Sequence, residues 1–171
     1  MQNDSPENIQ IENLTELKNR LIHIYNNLDT TNLSEIKKQV SNTLYNYSGV
    51  DWIQYIKINE CKYHRELLYT SDTFDLVIIT WDKGQQCPIH NHPNNGCTVK
   101  ILHNHITEEL YNTESLKVIR LSNYKKDDIM YIDDNLGYHK MCNKGNGACV
   151  TLHVYAPGQY KPTFFNSEPV R

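Results

Sequence analysis

From about residue 60 onward the chain is a succession of short alternating runs with no helix-length stretch between them. Residues 63–69, 74–81, 97–102, 105–111, 116–121, 129–132 and 148–155 each read as strands. Turn sequences such as Asp82-Lys83-Gly84, Pro93-Asn94-Asn95-Gly96 and Asp133-Asp134-Asn135-Leu136-Gly137 separate them. A parallel pair needs a crossover of roughly a dozen residues or more, usually helical. Such crossovers are lacking, so the strands are expected to pair antiparallel, as a sandwich or barrel.

The first part of the chain has a different period. Ile11, Leu14, Leu17, Leu21, Ile22, Tyr25 and Leu28 recur at helical spacing, and Asn13 with Glu16 is placed as a capping box. Residues 29–32 break the pattern. Leu33, Ile36, Val40, Leu44 and Tyr47 then mark a second helix, with Asn32 at its N-cap and Glu35 three residues on. A short helical piece is expected over 49–57, and the proline-bearing tail, 156–171, reads as mostly irregular. No repeat or long linker divides the chain. We therefore expect one domain over 1–171, with helices over about 10–58 and a β-barrel over about 60–160.

Charge and composition exclude several classes. A net charge of -3 argues against a basic patch for nucleic acid or an anionic membrane surface. No stretch approaches the roughly 18–20 apolar residues of a bilayer span; the longest clear apolar run is Leu76-Val77-Ile78-Ile79. The first residues are polar and acidic, unlike a signal or transit peptide, which leads to the expectation of a cytoplasmic protein. The composition is compatible with a monomer. Five cysteines, an odd number with no C-x-x-C pair, argue against a disulfide framework or a zinc knuckle.

Eight histidines offer more. His23 and His64 read as ordinary polar residues. Two H-x-H pairs remain, His90/His92 and His103/His105, and residues i and i+2 of a strand share a face, so either pair can chelate a metal. His103-Asn104-His105 reads as a hairpin tip whose imidazoles face water. His90/His92 follows an apolar strand and precedes a tight turn, which favours it as the ligand pair. His139, placed after a turn at the start of a strand, is the best candidate for a third ligand.

Gly84-x5-His90-x-His92-x4-Cys97 resembles the first cupin motif, with Cys97 where that motif has glutamate, and His139-x3-Asn143 resembles the end of the second. The cysteine replacement narrows the resemblance to eukaryotic-type cysteine dioxygenases. Tyr63-His64-Arg65, Tyr131-Ile132-Asp133-Asp134, Gly137-Tyr138-His139 and Val150-Thr151-Leu152-His153-Val154-Tyr155 are similar to segments of the same family, over about residues 10–160. The resemblance implies a cupin antiparallel β-barrel, jelly-roll-like, behind an N-terminal helical segment. It implies iron(II) on His90, His92 and His139, and a thioether between Cys97 and Tyr155. Arg65, beside Tyr63, is then the partner of the substrate carboxylate. The family's strand serine is Thr151 here, a glycine after the first motif is Asn104, and a late cysteine of mammalian members has no counterpart in 159–165.

The chemistry accords with these residue types. Most non-haem iron oxygenases bind iron with two histidines and a carboxylate. Three neutral imidazoles leave the metal's charge intact and ask for an anionic ligand, which a thiolate supplies. Thr151, His153 and Tyr155 alternate at period two and share a strand face, so each can orient the next. The planar fork of Arg65 suits a carboxylate. The expected activity is iron(II)-dependent dioxygenation of L-cysteine by O2 to cysteine sulfinic acid. The alternatives are a dioxygenase of 3-mercaptopropionate or cysteamine, a non-catalytic metal-binding cupin, or a zinc hydrolase or isomerase, since three histidines also hold zinc.

Overall fold

The change of period near residue 60 is also a structural boundary. In a computed structural model that describes residues 10–27 and 32–166, the chain divides into two compact units, Met1–Gln54 and Tyr55–Arg171. Leu28, the break over 29–31 and the end of the tail from 167 lie outside the described residues.

The first unit holds helices α1 (Leu14–Asn27) and α2 (Leu33–Asn46) and all but the last residue of a 3-10 turn, Asp51–Tyr55. The buried stripe of α1 is Leu14, Leu17, Leu21, Ile24 and Tyr25; Ile24, not Ile22, completes it. Ile11 lies before the helix and bridges Tyr47. Both expected caps form: Asn13 Oδ1 accepts from the Glu16 amide at 2.8 Å and Asn32 Oδ1 from the Glu35 amide at 3.2 Å. Asp51 returns the chain to the start of α1, accepting from the Leu14 amide at 2.8 Å and the Tyr47 hydroxyl at 2.7 Å.

The second unit is the expected antiparallel β structure. Its strands are β1 (His64–Thr70), β2 (Asp75–Trp81), β3 (Ile89–His90), β4 (Cys97–His103), β5 (His105–Tyr111), β6 (Val118–Lys125), β7 (Ile129–Ile132), β8 (Tyr138–Cys142), β9 (Cys149–Tyr155) and β10 (Phe164–Phe165). They form two five-stranded sheets, β1-β2-β9-β4-β7 and β10-β3-β8-β5-β6. Alternate residues point between the sheets and make the core: Val77, Ile79 and Trp81 of β2, Val99 and Ile101 of β4, Ile106 and Leu110 of β5. The central strands β2 and β9 are buried on both faces, which is why Leu76-Val77-Ile78-Ile79 reads as an unbroken apolar run.

Four strands depart from the runs read above; β8 was expected only as a strand starting near His139. β3 and β10 have two residues each, too few to show a period. β6 is displaced from the expected 116–121. Leu116 has φ 50 and belongs to a turn, its amide donating to Asn112 O at 3.0 Å, and the strand runs on to Lys125 opposite His105. Val118, Ile119 and Leu121 are apolar but exposed, so they misplace the run.

Two glycines set the strands that carry the site. Gly96 (φ 76) precedes Cys97, and a Cβ there would lie 2.5 Å from the Ile132 carbonyl oxygen. Gly137 (φ 141) precedes Tyr138-His139, and its Cβ would lie 2.5 Å from the Tyr111 carbonyl oxygen. Both positions demand glycine's freedom and small size. Asn104 (φ 57) turns the β4–β5 hairpin, as its tolerance of positive φ allows.

Asn143, one residue past β8, ties that strand to the end of β2 in the other sheet. Its buried amide donates to the carbonyls of Trp81 at 2.9 Å, Asp82 at 3.2 Å and Gly147 at 2.8 Å, and its Oδ1 accepts from the Gly145 amide at 3.0 Å. Asn143→Ala removes these four side-chain hydrogen bonds where water is scarce; the Asp82 carbonyl keeps the Gln85 amide at 3.1 Å. We expect the substitution to lower stability by about 2–4 kcal/mol in chemical denaturation. A loss below about 0.5 kcal/mol would show that solvent satisfies the backbone groups instead.

Candidate metal centre

Strand register brings the two histidine segments together. His90 at the end of β3 is the Cα partner of His139 on β8. His92 is not on that strand: β3 ends at His90, so the pair does not share a strand face as the H-x-H spacing led us to expect. Instead Asp134 Oδ1 accepts from the His92 amide at 2.7 Å and turns the segment inward. One nitrogen from each of His90, His92 and His139 lies within 4.8 Å of the others, a group that can hold a metal ion.

Each imidazole has a different neighbour on its remote side. His90 Nδ1 lies 2.9 Å from the Pro88 carbonyl oxygen, which can only accept, so Nδ1 carries the proton and Nε2 is free. His139 Nδ1 lies 2.9 Å from Glu108 Oε1. His92 is buried with neither nitrogen hydrogen-bonded, although Asp134 Oδ1 is 3.3 Å from its Nδ1. A buried imidazole with orphaned nitrogens is costly unless a cation takes the lone pair, so the residues fit a bound metal. Burial pushes the pKa of each of the three histidines down, and for His92 and His139 neighbouring histidines add to the effect. They stand uncharged, in the form that ligates metals.

A second network faces them across the core. The β4–β9 register sets Cys97 opposite Tyr155. Thr151 Oγ1 accepts from Trp81 Nε1 at 2.8 Å and lies 2.8 Å from His153 Nε2. The buried hydroxyl proton then goes to Nε2, which puts the imidazole proton on Nδ1. Nδ1 is 3.3 Å from the Tyr155 hydroxyl and 3.7 Å from Cys97 Sγ. Arg65 Nη1 donates to the same phenol oxygen at 3.4 Å, and the guanidinium lies 5.3 Å from the ring centroid. With two donors on its oxygen, Tyr155 keeps its own proton for the cavity. Burial and the nearby Cys97 push the Tyr155 pKa up, and burial does the same to Cys97. Burial disfavours the Arg65 charge, but Tyr155 and Tyr63 outweigh it and hold its pKa above the ordinary value.

Tyr63, Arg65, Cys97, His90, His139, His153 and Tyr155 all line one cavity of about 300 Å³. Thr151 and His92 do not line it: Thr151 sits behind His153, and His92 joins the histidine group from behind the lining. His23, His103 and His105 are exposed, and His64 instead meets Glu66 at 3.0 Å.

Several residues of this cavity were not anticipated. Trp81 stacks on Tyr63 (4.7 Å) while capping Thr151. Cys87, given no role from the sequence, lines the cavity with its Sγ 3.7 Å from His90 Nδ1, and burial pushes its pKa up to about 11. Tyr160, Lys161, Pro162 and Phe164 supply the wall from the tail. Asn91, between two of the histidines, holds that segment by accepting from the Tyr160 hydroxyl and from the Thr163 amide at 2.7 Å. Glu108 was missed too, although a glutamate between Ile106 and Leu110 on an inward strand face is a visible anomaly.

The sequence model of the cysteine dioxygenase type I family matches residues 1–166. The chain belongs to that family. Among curated members, cysteine dioxygenase type 1 of Danio rerio is 26% identical over 162 residues, covering 90% of this chain and 79% of the fish protein. The Homo sapiens enzyme is 28% identical over 145 residues, covering 81% and 72%. Solved structures match the cupin fold at lower identity. A Klebsiella pneumoniae protein with a double-stranded β-helix domain has TM-score 0.57 and 18% identity over 66% of this chain and 86% of its own. A cupin superfamily protein from Desulfitobacterium hafniense has TM-score 0.50 and 13% identity over 60% and 84%. This cysteine dioxygenase family member is thus a mainly β cupin with N-terminal helices, as the resemblance implied.

Because the histidines are neutral and gathered, a divalent metal should bind without displacing protons. Ligand at about 100 times its Kd adds about 2.7 kcal/mol of stability. We expect Fe(II) or Co(II) to raise the Tm of the metal-free protein, and His139→Ala to abolish the rise. An equal rise in His139→Ala would place the metal elsewhere.

Proposed function

We propose that the protein catalyses dioxygenation of free L-cysteine to cysteine sulfinic acid, with iron(II) held by His90, His92 and His139. The observation that carries this reading is one cavity lined by uncharged imidazoles on one side and by Arg65 with Tyr155 on the other. When bound, iron(II) supplies the redox-active centre that activates O2 beside the thiol. The reaction needs no other reductant, since both oxygen atoms end on sulfur and RSH becomes RSO2H.

The chain's own residues bind, orient and donate. Arg65 takes the α-carboxylate with the N–H edge of its guanidinium not committed to Tyr155, as a charge-assisted pair in a dry site. Tyr63, braced by Trp81, packs beside it. Tyr155 directs its hydroxyl proton into the cavity because His153 and Arg65 occupy its oxygen. Thr151 and Trp81 fix the His153 tautomer that makes this possible. Cys97, the Cα partner of Tyr155, would join it in a thioether with O2 as the oxidant taking up the two hydrogens, a loss that intact mass would register. A monomeric, single-domain, cytoplasmic enzyme without nucleic-acid or membrane partners belongs to the same proposal; no helix among the described residues is long and apolar enough to cross a membrane.

Cysteamine lacks the carboxylate that Arg65 would hold, which favours cysteine over it. The test is O2 uptake by iron(II)-loaded protein with L-cysteine, 3-mercaptopropionate and cysteamine, with sulfinate detected by mass spectrometry. Uptake with L-cysteine and formation of its sulfinate are expected. No uptake with any thiol would leave a metal-binding cupin as the better account. Arg65→Ala should raise the KM for L-cysteine about 10- to 100-fold, the worth of a charged hydrogen-bond pair, and change the KM for cysteamine, which has no carboxylate, far less. An unchanged KM would remove Arg65 from substrate binding.

A further inference from the structure

β5 turns Ile106, Glu108 and Leu110 toward the core, and all three are buried, Glu108 to 1% exposure. A carboxylate in such a place is expensive unless its oxygens are satisfied. Here each oxygen has a different task. Oε2 accepts from Arg120 Nη2 and from the Tyr124 hydroxyl, both at 3.3 Å. Oε1 is committed to His139 Nδ1 at 2.9 Å.

We propose that Glu108 is a positioning residue of the metal centre, fixing the tautomer and aim of His139 and lending the centre a negative charge that none of its ligands carries. The proposal rests on His90, His92 and His139 being the metal ligands. The contrast with the other two ligands singles Glu108 out. His90 is held by a neutral carbonyl. His92 has no hydrogen bond at Nδ1, and its nearest carboxylate, Asp134, is 42% exposed at the side chain. Of these three remote-side groups only Glu108 is a buried acid; burial raises its pKa, and Arg120 and the Tyr124 hydroxyl act against that to support its charge. A carboxylate hydrogen-bonded to a ligating imidazole raises that ligand's basicity. Because Glu108 lies behind His139, it adds this charge without taking a coordination position, so substrate and O2 keep theirs.

A plain structural ion pair predicts otherwise. Arg120 is half exposed and its contact is the longer one, so a structural role would rest on Arg120 as much as on His139. Two variants separate the readings. Glu108→Gln keeps an acceptor for His139 but removes the charge. Arg120→Leu breaks the ion pair and leaves the His139 contact.

Fe(II) affinity is measured anaerobically on metal-free protein by competition with a chromogenic chelator, without thiol or O2, and the Fe(III)/Fe(II) midpoint potential on the loaded protein. Glu108→Gln is expected to weaken Fe(II) binding about 10- to 100-fold and to raise the potential, while Arg120→Leu keeps both near wild type. Wild-type affinity and potential in Glu108→Gln, or equal weakening in Arg120→Leu, would overturn the proposal. If Glu108→Gln does not fold, the wild type suffices: in ¹⁵N-histidine-labelled metal-free protein the His139 proton should sit on Nδ1, and an Nε2 proton would overturn it. Absence of thiol dioxygenase activity with these shifts intact would sink the catalytic reading and leave Glu108's role standing. Failure of the wild type to bind Fe(II) would sink both.

Discussion

Antiparallel register is the constraint on which this structure depends. Across β3–β8 it sets His90 opposite His139, and across β4–β9 it sets Cys97 opposite Tyr155. A slip of one residue in either pair would send every inward side chain outward. The two pairs belong to different sheets, so the histidine group and the Arg65–Tyr155 group reach the cavity from opposite walls. Short spacings in the chain matter less than this pairing: His90 and His92 converge because Asp134 bends the segment after β3 ends, not because they share a strand.

Placing so many polar groups inside a small barrel has a cost, and the hydrogen-bond chain shows how it is offset. Trp81, Thr151, His153, Tyr155 and Arg65 form a line in which nearly every proton has one acceptor. The line is directional. Trp81 can only donate, and so can Arg65, which leaves the Tyr155 proton as the free one. Thr151 in place of serine keeps the hydroxyl on which this direction depends, and its extra methyl sits in a fully buried site. The uncharged state of the histidines follows from the same burial, which disfavours the imidazolium.

Much of this was legible in the chain. Period two gave most strands, and the Gly84–Cys97 and His139–Asn143 spacings pointed to residues that the fold gathers. The misses have physical reasons. β3 and β10 are too short to carry a period, and Val118, Ile119 and Leu121 are apolar without being buried. Cys87, Met141 and the wall from Tyr160 to Phe164 enter the cavity through long-range pairing that no local pattern encodes. Glu108 is the instructive case. Its sign was present, an acid on an apolar strand face, but its meaning depends on His139 lying across β5–β8, where Leu110 is the Cα partner of that histidine.

Charge matching in the cavity ties these residues to substrate choice. In the proposed centre a divalent ion and Arg65 bring three positive charges, and Glu108, behind His139, returns one negative. A small thiol bound as thiolate and carboxylate with a neutral amine would bring two more and leave the buried site close to neutral. Unpaired charge in a low-dielectric site is strongly disfavoured. Cysteamine would leave one positive charge uncompensated beside Arg65. A carboxylate ligand at Cys97's position would compensate it, but at the expense of an open coordination position. In that proposed centre, three neutral ligands, a remote carboxylate and a guanidinium would select for a substrate that carries its own two anionic groups.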